Sequence, residues 1–316
     1  EISNCVVTGA ANGGGALFNG RGVNVIADKC LFANNSSDES ASGSSKGGGA
    51  IGTTGSGGSF LFTNCTFYGN SAALGRGGAI YTGMDCKVIN CTFTGNRAFN
   101  GGGFYGHNAG KMYTLINTIC YNNIDENETG DIRRNNGDFT IYNCLATVVS
   151  PALAENFDSN GNILTTPAMK VFENDAAPEL KDNGGNTLTV ALHATQSMAA
   201  KAGIATAPAG IDVTIPTVDQ RGYTRAAKPC MGAFELGGIE PVGIQTATAD
   251  AKFNYSVEKG RLVIAESGEC RIFNMLGAKI TELTINGSAP INLESGIYIV
   301  RFMNEAGTSV AKVLIP

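Results

Sequence analysis

A short element of the form Asn-Cys-x-Phe-x-x-Asn recurs along the first half of this chain, and it constrains the fold more than any other feature. It is clearest as Asn64-Cys65-Thr66-Phe67-Tyr68-Gly69-Asn70 and as Asn90-Cys91-Thr92-Phe93-Thr94-Gly95-Asn96. Weaker copies are Asn4-Cys5-Val6-Val7, Cys30-Leu31-Phe32-Ala33-Asn34, Asn117-Thr118-Ile119-Cys120 and Asn143-Cys144-Leu145. The aligned positions 5, 30, 65, 91, 118 and 144 are spaced by 25, 35, 26, 27 and 26 residues. The long interval contains Ser36 to Lys46, a serine-rich stretch that reads as a loop inserted into one repeat. A glycine element alternates with the first: Gly13-Gly14-Gly15-Ala16-Leu17, Gly47-Gly48-Gly49-Ala50-Ile51, Gly77-Gly78-Ala79-Ile80-Tyr81 and Gly101-Gly102-Gly103-Phe104-Tyr105. Thr129-Gly130-Asp131-Ile132 is a degraded fifth copy.

Such a period, built of short alternating apolar runs with no helical spacing, calls for a solenoid. A single strand cannot bury an apolar face. Coils stacked at about 4.8 Å pair every strand in parallel and enclose a continuous core. Glycine and asparagine suit the corners because both tolerate left-handed backbone. The spacing therefore predicts a right-handed parallel β-helix. In-register cysteines would form an internal column of free thiols, with disulfides between neighbouring coils as the alternative. An asparagine column beside them would stack its amides in hydrogen-bonded ladders.

The alternating Gly-Gly-Ala-Ile and Phe-x-x-Asn elements resemble the polymorphic outer-membrane-protein repeat, within the broader pectate-lyase-like superfamily, over roughly residues 1–150. A second block runs through Asp182-Asn183-Gly184-Gly185, Ser197-Met198-Ala199-Ala200-Lys201-Ala202-Gly203, Asp219-Gln220-Arg221-Gly222 and Met231-Gly232-Ala233-Phe234-Glu235. It resembles the closing block of bacterial β-helix proteins termed choice-of-anchor Q, with Met198, Lys201 and Met231 departing from that pattern. It should finish the helix and cover its open end, with Asp219 and Arg221 as a structural pair or turn brace. After a turn-rich linker the chain reads as short alternating strands separated by turns such as Asn286-Gly287, which suits a small antiparallel sandwich. Phe273-Asn274-Met275-Leu276-Gly277-Ala278-Lys279-Ile280, Ile291-Asn292-Leu293-Glu294-Ser295-Gly296-Ile297-Tyr298-Ile299-Val300-Arg301 and Lys312-Val313-Leu314-Ile315 resemble the type A sorting domain of the Bacteroidetes type IX secretion system. That resemblance implies a tail that directs passage across the outer membrane and is usually removed afterwards. A generic carbohydrate-binding or immunoglobulin-like sandwich is the alternative. The expected organisation is a β-helix over 1–236 (coils 1–150, closing block 151–236), a linker over 237–250 and a sorting domain over 251–316.

Composition narrows the partners. The net charge of −5 gives no reason to expect nucleic acid, and no apolar run is long enough for a membrane span. With only two histidines, His107 and His193, and no Cys-x-x-Cys pair, no cofactor or structural zinc is expected. The Gly43-Ser44-Ser45-Lys46-Gly47 match to a nucleophile elbow falls in the serine-rich insertion, away from any strand-to-helix turn. The sequons at Asn64 and Asn90 sit in the repeat column, which disfavours glycosylation.

The segment densest in functional groups is 97–138. Asp131, Arg133 and Lys111 are its candidate catalytic residues, and His107, Arg134, Tyr105 and Tyr113 its candidate ligand-binding residues. A lyase would need a base and an acid-lined calcium site; a hydrolase would need two carboxylates about 5–10 Å apart. No carboxylate recurs one coil apart there. The expectation is therefore a secreted or cell-surface β-helix protein that is adhesive or recognises glycans without catalysis. A polysaccharide lyase or glycoside hydrolase acting on the outer face is the alternative, with calcium possible only in the lyase.

Overall fold

The computed structural model describes residues 2–3, 6–8, 15–20, 22–37, 47–53, 57–127, 130–240, 253–274, 277–305 and 307–315. Cys5, Gly13-Gly14, most of the serine-rich insertion, Glu128-Thr129, Met275-Leu276 and most of the linker lie outside them. The chain divides into two compact units, Glu1–Glu240 and Pro241–Pro316.

The first unit is a parallel β-helix. Its first sheet has six strands: Ile2–Ser3, Val25–Asp28, Ser59–Thr63, Asp85–Ile89, Met112–Ile116 and Asp138–Tyr142. The second has seven: Val6–Thr8, Leu31–Ala33, Thr66–Tyr68, Thr92–Thr94, Ile119–Tyr121, Leu145–Ala146 and Ile163–Leu164. Ser71–Arg76, Arg97–Asn100 and Ile124–Asp125 form a third sheet. The fourth comprises Leu17–Asn19, Ile51–Thr53, Ile80–Thr82, Phe104–Gly106 and Ile132–Arg134. Ile132 pairs with Phe104, so the degraded glycine element does keep the register of the repeat. The inserted stretch likewise leaves the register intact, since Ser36 bridges to Ser71 and Gly47 to Arg76 on either side of it.

Each corner has a physical cause. Between the first and second sheets, Lys29, Asn64, Asn90, Asn117 and Asn143 all hold φ near +50°, the left-handed region that asparagine tolerates. Between the second and third sheets Asn34, Gly69, Gly95 and Asn122 do the same. At the glycine corner the requirement is close approach as well as torsion. A Cβ on Gly49 would lie 2.1 Å from the Gly78 carbonyl oxygen, and one on Gly78 would lie 2.0 Å from that of Gly102.

Stacking in register puts like on like inside the helix. Phe32, Phe67 and Phe93 stack at 4.9 and 4.5 Å between ring centroids, with Phe62 edge-on to Phe32 and Phe67. Burying each ring contributes about 1.5–3 kcal/mol. Cys120 and Ala146 continue that column in the next two coils. The thiol column is Cys30, Cys65 and Cys91, with Thr118 interrupting before Cys144. The eight described cysteines are buried thiols, none of them in a disulfide. Burial pushes the Cys65 thiol well up, and carries Cys144 to about 12. No more than one of the chain's nine thiols should therefore react with an aromatic disulfide reagent before unfolding, and all nine should react in denaturant. Rapid labelling of several thiols in native protein would contradict the column.

The asparagine ladder is also present, but on the other asparagine of the repeat. The Nδ2 of Asn35 donates to Oδ1 of Asn70 (2.9 Å), Asn70 to Asn96 (2.9 Å) and Asn96 to Asn123 (2.8 Å). Each Oδ1 also accepts the backbone N–H of the preceding ladder asparagine. Asn70 returns its second amide proton to the Phe32 carbonyl, so all four of its side-chain bonds are made. The asparagines next to the thiols form no such ladder: Asn64, Asn117 and Asn143 bond the closing block, and the buried amide of Asn90 has no partner among the described residues. Asn64 Oδ1 accepts from Arg225, Asn117 exchanges two bonds with Ile204, and Asn143 donates to the Ala202 carbonyl.

The closing block divides the work expected of it. A short turn, Pro151–Leu153 followed by Ala154–Phe157, inserts Leu153 and Phe157 into the end of the helix core. The rest of the block lies along the flank instead. Val171, Phe172, Leu192, Ala199, Met231 and Phe234 pack on Ile119 and Leu145, on the outer face of the second sheet. Two buried ion pairs hold it. Arg221 meets Asp219 at 2.7 Å between the rings of Tyr223 and Phe234, the brace that the sequence led us to expect. Arg225 meets Glu235 at 3.2 Å. Gly238 and Ile239 bond back to Glu235 and Thr224, so the start of the expected linker is packed on this block.

The second unit is a two-sheet antiparallel sandwich. Tyr255–Glu258, Arg261–Ile264 and Ala289–Asn292 form one sheet; Lys279–Ile285, Gly268–Asn274, Gly296–Asn304 and Gly307–Ile315 form the other. Alternating inward residues of both sheets, among them Leu262, Ile264, Ile272, Val300, Phe302 and Val313, make one core.

Candidate functional site

On the fourth sheet, residues alternate between the core and the outer face. Ile51, Ile80, Phe104 and Ile132 point inward, so their successors Gly52, Tyr81, Tyr105 and Arg133 form an outward column. The rings of Tyr81 and Tyr105 are 5.6 Å apart, and the His107 ring lies 5.3 Å from the first and 6.3 Å from the second. The Arg76 guanidinium sits over Tyr105 at 5.5 Å and hydrogen-bonds Tyr81. Burial raises the Tyr81 hydroxyl against the opposing pull of Arg76. Burial and then Arg76 lower His107, which keeps its imidazole neutral at pH 7.

This face gathers Tyr105, His107 and Arg133, three of the seven residues singled out in the sequence, whereas Arg134, in register with Gly106 and the buried Thr82, falls on the opposite side of its strand. Both tyrosines are only 2% exposed, so they support the arginines rather than offering a sugar-stacking platform. Arg133 and Arg134 are half-buried and make no ion pair among the described residues. The Nε of Arg133 is buried without a hydrogen-bond partner. Asn135 donates to the His107 carbonyl at 3.3 Å, and Ser150 Oγ accepts the Arg134 backbone N–H, which fixes the rim of the face.

The other three candidates lie elsewhere. Tyr113 is fully buried inside the helix, where its hydroxyl donates to the Thr82 carbonyl and accepts from the backbone of His107 and Asn108. Burial carries it to about 12. It braces the loop bearing His107 and is not placed to meet a ligand. Asp131 is buried as well. Its Oδ1 accepts from the backbone and side chain of Asn123, and its Oδ2 from the backbone of Thr147 and Val148. It terminates the asparagine ladder, and every acceptor position is filled, so it has no free oxygen for chemistry. Lys111 lies 3.7 Å from Asp85 at the margin of the first sheet.

The remaining carboxylates of the segment hold corners. Asp125 accepts from Gly101 and Asn127, and Glu126 pairs with Arg97. Asp138 is exposed. Among the described residues no three of His, Cys, Asp and Glu converge as metal ligands would. Arg76 escaped the sequence reading because it lies in a glycine-rich run, Gly75-Arg76-Gly77-Gly78. Its one signal was its place just before the glycine corner, where the next coil has Asn100.

The repeat of Chlamydia polymorphic membrane proteins matches residues 64–83. That stretch carries one thiol of the column, Cys65, one rung of the ladder, Asn70, the glycine corner at Gly77-Gly78, and Tyr81 of the outward face. No curated protein and no solved structure matches the chain. The chain is a parallel β-helix repeat protein with a segment similar to the polymorphic-membrane-protein repeat.

Proposed function

We propose that this is a secreted or cell-surface protein of a Bacteroidetes bacterium whose β-helix binds acidic glycans without cleaving them. The observation that carries the reading is the outer face of the fourth sheet. Two arginines, Arg76 and Arg133, lie there on a chain whose net charge is −5, beside a buried tyrosine pair. Guanidinium groups held in fixed orientation suit bidentate recognition of carboxylate or sulfate. The absence of opposed carboxylates there, among the described residues, favours binding over hydrolysis. Similarity to a repeat of membrane proteins supports display at the cell surface. The choice-of-anchor Q resemblance of the closing block supports the same placement.

The second unit, in this reading, directs type IX secretion. The described residues of its resembling motifs fall mostly on the strands Gly268–Asn274, Lys279–Ile285, Gly296–Asn304 and Gly307–Ile315 of one sheet, with Ile291 and Asn292 on the other. Export of a chain lacking residues 251–316 from a type IX-competent host would refute that role.

The glycan reading is tested on immobilised polygalacturonate, alginate and chondroitin sulfate beside neutral polysaccharides. The wild-type protein should be retained by an acidic polymer and released by salt. The pair Arg76→Ala and Arg133→Ala should weaken retention about tenfold or more. Retention unaffected by the pair would dismiss this face. Shortened polymer after incubation, with or without calcium, would establish an enzyme instead.

A further inference from the structure

A separate recess lies on the outer face of the first sheet, where segment 212–218 of the closing block passes beside the strands Val25–Asp28, Ser59–Thr63 and Asp85–Ile89. Its volume is ≈ 530 Å³, within the range of pockets that take small molecules. Leu61, Ile89 and Ile215 form its floor as members of one apolar cluster. Asp28, Lys29, Lys87 and Asp212 stand around it, two anions and two cations.

The walls are fixed. Asp28 Oδ1 accepts from Thr63 Oγ1 (2.7 Å) and Asn64 Nδ2 (3.2 Å), while its Oδ2 takes Lys29 Nζ at 2.8 Å. Lys87 Nζ donates to the Asp212 carbonyl at 2.6 Å and ties the segment to the sheet. At the other end the Thr217 and Val218 carbonyls accept from Arg225, which is locked by its buried pair with Glu235. Between these anchors the chain belongs to no strand or helix. The backbone N–H and C=O groups of Thr214 and Ile215 make no hydrogen bond among the described residues.

We propose that this cleft binds an uncharged, hydroxyl-rich sugar unit. The charges around it balance, so neither an acid nor an amine would find an unmatched counter-charge. Each lysine uses part of its three-proton capacity in the contacts above and keeps donors for hydroxyl oxygens. The Thr214–Ile215 peptide groups supply a further donor and acceptor, and the aliphatic floor suits the C–H face of a pyranose ring. This site is independent of the arginine face, which selects the opposite class, acidic glycans.

The test is calorimetric titration of the full chain with disaccharides of glucose, mannose, xylose, N-acetylglucosamine and galacturonate. Thr214 is exposed on the cleft wall, so Thr214→Trp fills the space while leaving both anchors in place. At least one neutral disaccharide should bind. Thr214→Trp should weaken it about tenfold or more at unchanged melting temperature, and Arg133→Ala should not alter it. The proposal is overturned if no neutral disaccharide binds or if Thr214→Trp binds as the wild type does. Galacturonate binding that is lost in Thr214→Trp would overturn the assignment to uncharged sugars. Loss of acidic-polymer retention in the arginine variants bears only on the other face.

Discussion

Arg225→Met should cost about 3–5 kcal/mol of stability, because it leaves Glu235 as an uncompensated charge in the interior. Both partners are almost wholly buried, with side-chain exposures of 2% and 1%. Arg225 also donates to the Val218 and Gly232 carbonyls and to Asn64 Oδ1 on the β-helix, so one guanidinium joins three parts of the chain. Glu235 would keep only the N–H groups of Ala226 and Cys230. Adding Glu235→Leu to Arg225→Met should recover much of the loss, since replacing both charges removes the unpaired one. Denaturant melts of the two variants measure this directly. Limited proteolysis should cut the single variant first within 178–235 while the coils stay protected. A single variant as stable as the wild type would show that the pair does not hold the block in place.

The second large effect is expected at Asp131. Four N–H donors converge on this carboxylate, two from Asn123 and one each from Thr147 and Val148. Only an acceptor-only side chain can meet donors from both sides. Asp131→Asn turns an NH₂ group toward one of the two pairs, whichever way the amide is placed. Two buried N–H groups then lose their acceptor, at a cost of about 2–4 kcal/mol near neutral pH. Titration supplies an independent signature. Burial raises the native carboxyl to about 6, against the downward pull of Asn123, Val148 and Thr147, whereas in the unfolded chain it titrates near about 3.9. Between those values the native state binds the extra proton, so this group's contribution to stability rises as pH falls below about 6 and is complete near about 4. The gap between wild type and Asp131→Asn should therefore widen by roughly 1–1.5 kcal/mol from about pH 7.5 to about pH 5. A gap independent of pH would place the carboxyl's native titration at its ordinary value.

Much of the fold was legible because stacking converts sequence spacing into contact. Cysteines spaced one coil apart had to lie over one another, as Cys65 and Cys91 do, and glycine pairs had to share a corner. What spacing does not give is the direction of a side chain. Asn64 and Asn70 look equivalent in the repeat, yet Asn64 bonds Arg225 of the closing block while Asn70 joins the ladder. Asp131 and Tyr113 fell in a polar segment and read as surface groups. Register decides otherwise: Asp131 falls at the place of Ala50 and Ala79, and Tyr113 pairs with the inward Cys86. The cleft beside Lys87 was illegible for another reason. It joins residues more than a hundred positions apart, across irregular chain that has no periodic signal.

The ladder has a direction. From Asn35 to Asn123 every amide-to-amide bond runs toward the C-terminal coils, while Asn70, Asn96 and Asn123 return their second proton to the Phe32, Phe67 and Phe93 carbonyls, so the ladder bonds align along the stack and reinforce one another. Its donor end rests on Asp131. The solenoid thereby acquires along one edge what an α-helix has along its axis, a line of aligned hydrogen bonds that favours an anion at one end. Because an acceptor-only group admits no next rung, the same residue acts as a stop signal, marking the coil at which this line of amides ceases to repeat.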